Sequence, residues 1–81
     1  MNVVSVKYRQ VSGWHVFTSE DVPGLYVASP DAIRAYNDVG PSIQRLLHSY
    51  GAEYLPRMSA EDFFELGPEA TEERVIDYSA A

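Results

Sequence analysis

The sequence predicts an α+β domain: a three-stranded antiparallel meander and a C-terminal strand, a long kinked helix on one face, and a second short helix. The order is β-β-β-α-α-β. Three observations predict it. Apolar residues alternate with polar ones near the N-terminus. A Pro-Gly pair sits between two short apolar runs. Beyond them, apolar residues recur every three or four positions. The 81 residues suffice for one domain, spanning 1–81.

Val4, Val6 and Tyr8 alternate with Val3, Ser5, Lys7 and Arg9, the period of a half-buried strand. Gln10-Val11-Ser12-Gly13 supplies a turn. Trp14–Thr18 is the second strand, with Trp14, Val16 and Thr18 on one face and His15 and Phe17 on the other. In "SEDVPGLYV", Pro23 presets the φ of a turn's second position. Gly24 supplies the positive φ of the third, so the chain reverses in a type II turn before a third strand, Leu25–Ala28. Glu20 and Asp21 fall at the end of the second strand, where Asp can accept hydrogen bonds from nearby backbone N–H groups.

Ser29-Pro30-Asp31 opens a helix: Ser29 as cap, Pro30 at the first helical position, Asp31 complementing the helix dipole. Ile33, Tyr36, Gly40, Ile43, Leu47 and Tyr50 form its apolar stripe, with Leu46 widening it. Gly40-Pro41 kinks or splits this helix, expected over residues 30–50, without breaking the phase of the stripe. Gly40 lies on the stripe, where a missing side chain lets the helix approach the sheet closely. "AEYLPR" reads as a connector. Ser59 caps a second helix, with Met58 and Phe63 placed as a hydrophobic staple and Asp62 as a capping residue. Phe63, Phe64 and Leu66 are its apolar surface, and Gly67-Pro68 stops it. After the polar linker "EATEE", Arg74–Tyr78 is a fourth strand, expected at a sheet edge. The unburied sheet face, carrying Ser5, Lys7, Arg9, His15 and Phe17, is left for solvent or a partner.

An apolar fraction of 46% and a charged fraction of 22% are those of a folded globular chain, which excludes wholesale disorder. With no cysteine there is no disulfide and no thiolate metal site, consistent with a reducing compartment. Met1–Lys7 lacks the pattern of a signal peptide, and no apolar run approaches the ~20 residues that span a bilayer. A cytoplasmic location without membrane association is expected. The net charge of −6 arises entirely in residues 51–81, which carry eight acids against two bases. Such a segment repels phosphate and attracts a basic protein, so direct nucleic-acid binding is not expected.

Nothing in the chain spells out a reaction. There is no phosphate loop, nucleophile elbow, zinc spacing or metalloprotease helix. His48 is placed to stabilise a helix end, and His15, beside Phe17, reads as an interface residue. Neither catalytic residues nor a metal or cofactor are expected. Glu61, Asp62 and Glu65 form an acidic face on the second helix, suited to a solvated surface or to a basic partner.

Trp14-His15-Val16-Phe17-Thr18 followed by "SEDVPGL" resembles the HicB-like antitoxin family. There an acidic residue precedes a hydrophobic-Pro-Gly turn, matched here by Asp21-Val22-Pro23-Gly24, and a further strand and a long helix follow. The resemblance covers about residues 3–50. It implies a truncated ribonuclease-H-like fold without catalytic metal ligands, and a role in covering a small basic toxin that cleaves RNA. On this reading Glu61, Asp62, Glu65, His15 and Phe17 contact the partner, while Asp21, Pro23 and Gly24 build the turn. Many members carry a C-terminal DNA-binding domain. The short acidic segment after Gly67-Pro68 cannot hold a helix-turn-helix, so DNA binding by this chain is not expected. Two other readings stand beside this one. One is a structural homo-oligomer pairing through the open face or an edge strand, which can coexist with the first, so that a homo-oligomer is expected beside the basic partner. The other is a minimal metal-dependent nuclease, which would need Asp21 to converge with further acids.

Overall fold

The computed structural model describes residues 3–48, 51–65 and 73–80. It is α+β: strands β1 (Val3–Val11), β2 (Trp14–Thr18) and β3 (Tyr26–Ser29), helix α1 (Ala32–Leu46), strand β4 (Tyr54–Pro56), helix α2 (Ala60–Glu65) and strand β5 (Arg74–Ala80). The strands form one antiparallel sheet in the order β3-β2-β1-β5-β4.

That order differs from the expected one in two ways. The C-terminal strand is not at an edge but between β1 and β4. "AEYLPR" is not only a connector, because it contains the edge strand β4. Three residues are too few to show alternation, and Pro56 reads as a breaker. On an outer strand, however, proline's missing N–H costs no ladder bond.

The β1–β2 hairpin closes on two residues, Ser12 (φ 50°) and Gly13 (φ 84°), both in the left-handed region that a type I′ turn requires. This turn fixes the register, pairing Val11 with Trp14 and Tyr8 with Phe17. Since Val4, Val6 and Tyr8 face the core, Phe17 must face it too, and it is 0% exposed. The expected face of β2 is therefore corrected: Phe17 is a core residue, His15 lies on the helix-covered side, and Trp14 lies on the open side. A four-residue turn at Gln10–Gly13 left the parity of β2 undetermined, and a one-residue slip exchanges the faces of a strand.

The Pro-Gly turn forms as read. The Leu25 N–H donates to the Val22 carbonyl at 3.1 Å across Pro23-Gly24, and Gly24 has φ 89°. Val22 and Leu25, on either side, are buried.

α1 begins two residues later than expected. Asp31, not Ser29, is its N-cap, accepting the Arg34 N–H at 3.1 Å. The Ser29 hydroxyl instead accepts the Asp31 N–H at 3.0 Å. The helix continues through Pro41 to Leu46. Its buried stripe is Ala35, Tyr36, Val39, Gly40 and Ile43. Ile33, expected on the stripe, is exposed, and Tyr50 lies outside the described residues. At Gly40 a Cβ would stand 2.2 Å from the Tyr54 carbonyl oxygen, so the helix meets β4 backbone to backbone.

Ser59 caps α2 as expected, its hydroxyl accepting the Asp62 N–H at 3.1 Å. Phe63 is buried, and Met58 packs against the same core cluster. Leu66, the Gly67-Pro68 stop and linker residues 69–72 lie outside the described residues.

Helices and sheet enclose an aromatic core of Tyr8, Phe17, Tyr36, Phe63 and Tyr78, whose neighbouring rings meet at 5.0–6.4 Å between centroids. Burying each such ring contributes on the order of 2 kcal/mol. Two hydroxyls pin the layers together. Tyr78 on β5 donates to the Tyr36 carbonyl on α1 at 3.1 Å, and Tyr36 donates to the Met58 carbonyl ahead of α2. No buried side-chain polar atom among the described residues lacks a partner.

Candidate partner-binding surface

Both helices cover one face of the sheet, so the alternate residues of every strand point out of the other face. On an antiparallel sheet exposed to water that face is usually polar. Here it carries Val3, Val11, Trp14, Tyr26, Leu55 and Val75, all 45–68% exposed. The register places them. Val11 and Trp14 sit side by side across the hairpin, and Arg9, Val16 and Ala28 form the next row. Lys7, Thr18 and Tyr26 form the row after that, with Val75 beside Lys7 on β5.

The small side chains of Val16 and Ala28 form the floor of a shallow hollow of about 520 Å³, with Trp14 and Tyr26 at its ends and Arg9 and Ser12 on its rim. Val16, only 4% exposed, is covered from this side. Lys7 is paired with Glu20 at 3.2 Å, and Arg57 with Asp77 at 3.4 Å, two exposed contacts that contribute little to stability. Arg9 has no acidic partner among the described residues.

The residues expected to bind a partner fall elsewhere. Glu61, Asp62 and Glu65 are all exposed on α2, on the helix side of the sheet. His15 is half-buried beside them, edge-on to Phe64 at 5.8 Å and stacked on Tyr8 at 5.9 Å. Its Nδ1 faces the Tyr8 hydroxyl at 2.7 Å and the Gln10 amide nitrogen at 3.4 Å. Because the amide can only donate, Nδ1 is placed as an acceptor. Burial raises the Tyr8 hydroxyl's pKa, opposed by its Gln10 hydrogen bond and by Arg74. Arg74 lies 3.9 Å over the Phe63 ring, a cation–π contact that closes this end of the core. The structure thus brings His15 to the acidic helix but separates both from the open face, and it withdraws Phe17 into the interior.

Asp21 has a structural partner. Beyond Thr18 the chain leaves the ladder, which would orphan the Ser5 backbone on β1. The Asp21 carboxylate accepts the Ser5 N–H at 2.9 Å, and the Ser19 hydroxyl donates to the Ser5 carbonyl at 2.6 Å. The two side chains continue the sheet where the strand stops. Among the described residues no three acidic, histidine or cysteine side chains gather as a metal would require. Among the described residues, a second hollow, between α1 and β4, is lined by a single carboxylate, Glu53, and by no histidine.

Sequence reasoning missed the Trp14–Tyr26–Arg9 group. Trp14 lies on the side of the sheet opposite to the one that alternation within β2 suggests, and the short third strand carries too little alternation to orient Tyr26. The signal that could have found the group is the Ser-Gly dipeptide of the hairpin, whose two-residue turn dictates the register.

Comparison with protein-family models, with curated proteins and with solved structures found no match for this chain. No helix among the described residues is long and apolar enough to cross a membrane.

Proposed function

We propose that this chain is a non-catalytic protein-binding module acting in the cytoplasm. On this reading it neutralises a small basic RNA-cleaving protein in the manner of HicB-like antitoxins, and its topology is a truncated ribonuclease-H-like one. The observation that carries the binding role is the open sheet face, where Trp14, Tyr26 and Arg9 surround a shallow hollow. Trp, Tyr and Arg are the residues that dominate binding energy at protein interfaces, and a small-floored hollow between them accepts an apolar anchor. Contiguous exposed apolar residues on so small a domain are a cost in water that a partner relieves. The acids of α2 and the net charge of −6 favour a basic partner and speed its approach.

The test takes a small basic protein encoded in the neighbouring reading frame, or one captured from the native host by pull-down. Trp14 is the only tryptophan and is half-exposed, so its fluorescence reports occupation of the open face directly. Titration is expected to shift its emission to the blue and to suppress RNA cleavage by the partner. Trp14→Ala or Tyr26→Ala is expected to raise the Kd by at least about tenfold. Glu61→Gln, Asp62→Gln and Glu65→Gln together slow association and flatten its salt dependence. Undiminished RNA cleavage at saturating concentrations of this chain rejects the antitoxin reading. Binding with no change in Trp14 emission rejects the open face as its site.

A further inference from the structure

We infer that two copies of this chain pair through the free edge of β3, strand against strand across a two-fold axis. The inference does not depend on the identity of any other partner. The direction of the Ser5 N–H, toward Asp21 on the β2 side, sets the phase of the ladder. Lys7, Arg9 and Val11 therefore bond to β2, and the intervening β2 residues His15 and Phe17 bond to their β3 partners Ser29 and Val27. Tyr26 and Ala28 then aim their N–H and C=O groups away from the sheet, with no partner among the described residues.

The two edges of the sheet are not equally protected. β4 is three residues long, ends in Pro56 and is followed by the exposed Arg57. Proline, charge and shortness are the usual guards of an outer strand. β3 is one residue longer and is followed by Pro30 and the exposed Asp31, but within Tyr26–Ser29 it has no proline and no charge, so the strand itself is unguarded.

Two separate features show that the occupant is a second copy. A two-fold axis at Val27 sets Tyr26 opposite Ala28 of the other copy, and Ala28 opposite its Tyr26. Each of these pairs exchanges two backbone hydrogen bonds. On the open face each large ring, 68% exposed in the single chain, then lies over a small methyl group.

The second feature is on α1. A groove of about 420 Å³ runs along β3 and is flanked by Asp38, Ser42 and Arg45. Asp38 and Arg45 are two helical turns apart, about 10 Å, with Ser42 near their midpoint. Neither forms an ion pair within the chain among the described residues. The same axis that centres β3 on Val27 brings two antiparallel α1 helices together, Asp38 of each against Arg45 of the other. A strand edge and a helix flank that are both self-complementary about one axis define a closed dimer. The pairing also joins the two open faces into one platform.

Sedimentation velocity with charge variants tests this. The wild-type chain is expected to dimerise. Asp38→Arg alone or Arg45→Asp alone should raise the dimer Kd by at least about tenfold, because each sets like charges together twice. Mixing the two single variants should restore association as a heterodimer, and the double variant Asp38→Arg/Arg45→Asp should restore the homodimer. Ala28→Pro removes only an outward N–H and should also give monomer, with its folding checked by circular dichroism. A wild-type chain that stays monomeric at 0.5 mM (about the highest concentration such a test needs) overturns the inference. So does a dimer that all three single variants leave intact.

Discussion

Gly40 shows how much one hydrogen atom can decide. It sits in a helix, next to a proline, where its backbone freedom is a liability of about 1 kcal/mol. The gain is proximity. A methyl group there would overlap the Tyr54 carbonyl oxygen at 2.2 Å, and that oxygen belongs to a strand backbone that cannot turn aside. Gly40→Ala must push α1 off β4, and since Tyr36 and Ile43 flank Gly40 on the same stripe, their packing loosens with it. The expected cost is about 2–3 kcal/mol in urea unfolding. Gly51→Ala is the control, since a Cβ there meets nothing within 4 Å. Equal stability of the two variants would show that α1 does not rest on β4 as described. Asp21 teaches the same lesson in polar form. An acid beside a Pro-Gly turn can be read as chemistry, but its carboxylate is spent on a single backbone N–H that the end of β2 leaves unpaired.

At the scale of elements, the sequence is legible wherever a signal is local. The Pro23-Gly24 reversal, the Ser59 cap, the alternation of β1 and the close approach at Gly40 each rest on a few adjacent residues, and each is present. What could not be read depends on partners far along the chain. β4 exists because β5 offers it an edge, and β5 is interior because β4 covers it. The candidate surface belongs to the second kind, since whether Trp14 or Phe17 faces out depends on the parity of one turn. That turn is strained at Ser12, a non-glycine residue at φ 50°. Asparagine tolerates this conformation better, and Asn-Gly is the favoured type I′ pair. Ser12→Asn is expected to stabilise the domain by about 0.5 kcal/mol and to leave Trp14 exposure unchanged. A lower unfolding midpoint with altered tryptophan emission would mean that another turn closes the hairpin.

The molecule as a whole is asymmetric: one face of the sheet is sealed by helices and aromatic rings, the other left open, its exposed apolar residues interleaved with Ser5, Lys7, Arg9 and Asp77. The sealed side has its own signature in pH. Burial pushes the Tyr36 hydroxyl up to about 12 from an ordinary 10.0, with Arg74 opposing and Asp62 adding slightly to the rise. Burial and the neighbouring Tyr36 push Tyr78 up further still. Both hydroxyls are also hydrogen-bond donors that hold β5, α1 and the segment before α2 together, a role that tyrosinate cannot fill. A group whose folded pKa lies above its unfolded value stabilises the fold fully below the unfolded pKa. That contribution is lost as pH climbs toward the folded value, because the unfolded chain then releases protons that the native state retains. For Tyr36 the window is therefore pH 10 to 12, and Tyr78 extends it upward. Each contributes a loss of up to about 1.4 kcal/mol per pH unit within its window. Urea unfolding at pH 8, 9.5, 10.5 and 11 should show little change from these groups up to pH 9.5 and a steep fall beyond. Tyr36→Phe should start less stable, having lost its bond to the Met58 carbonyl, yet decline less steeply above pH 10. The same slope in wild type and Tyr36→Phe would place the Tyr36 hydroxyl in contact with water, and with it the seam between α1 and α2.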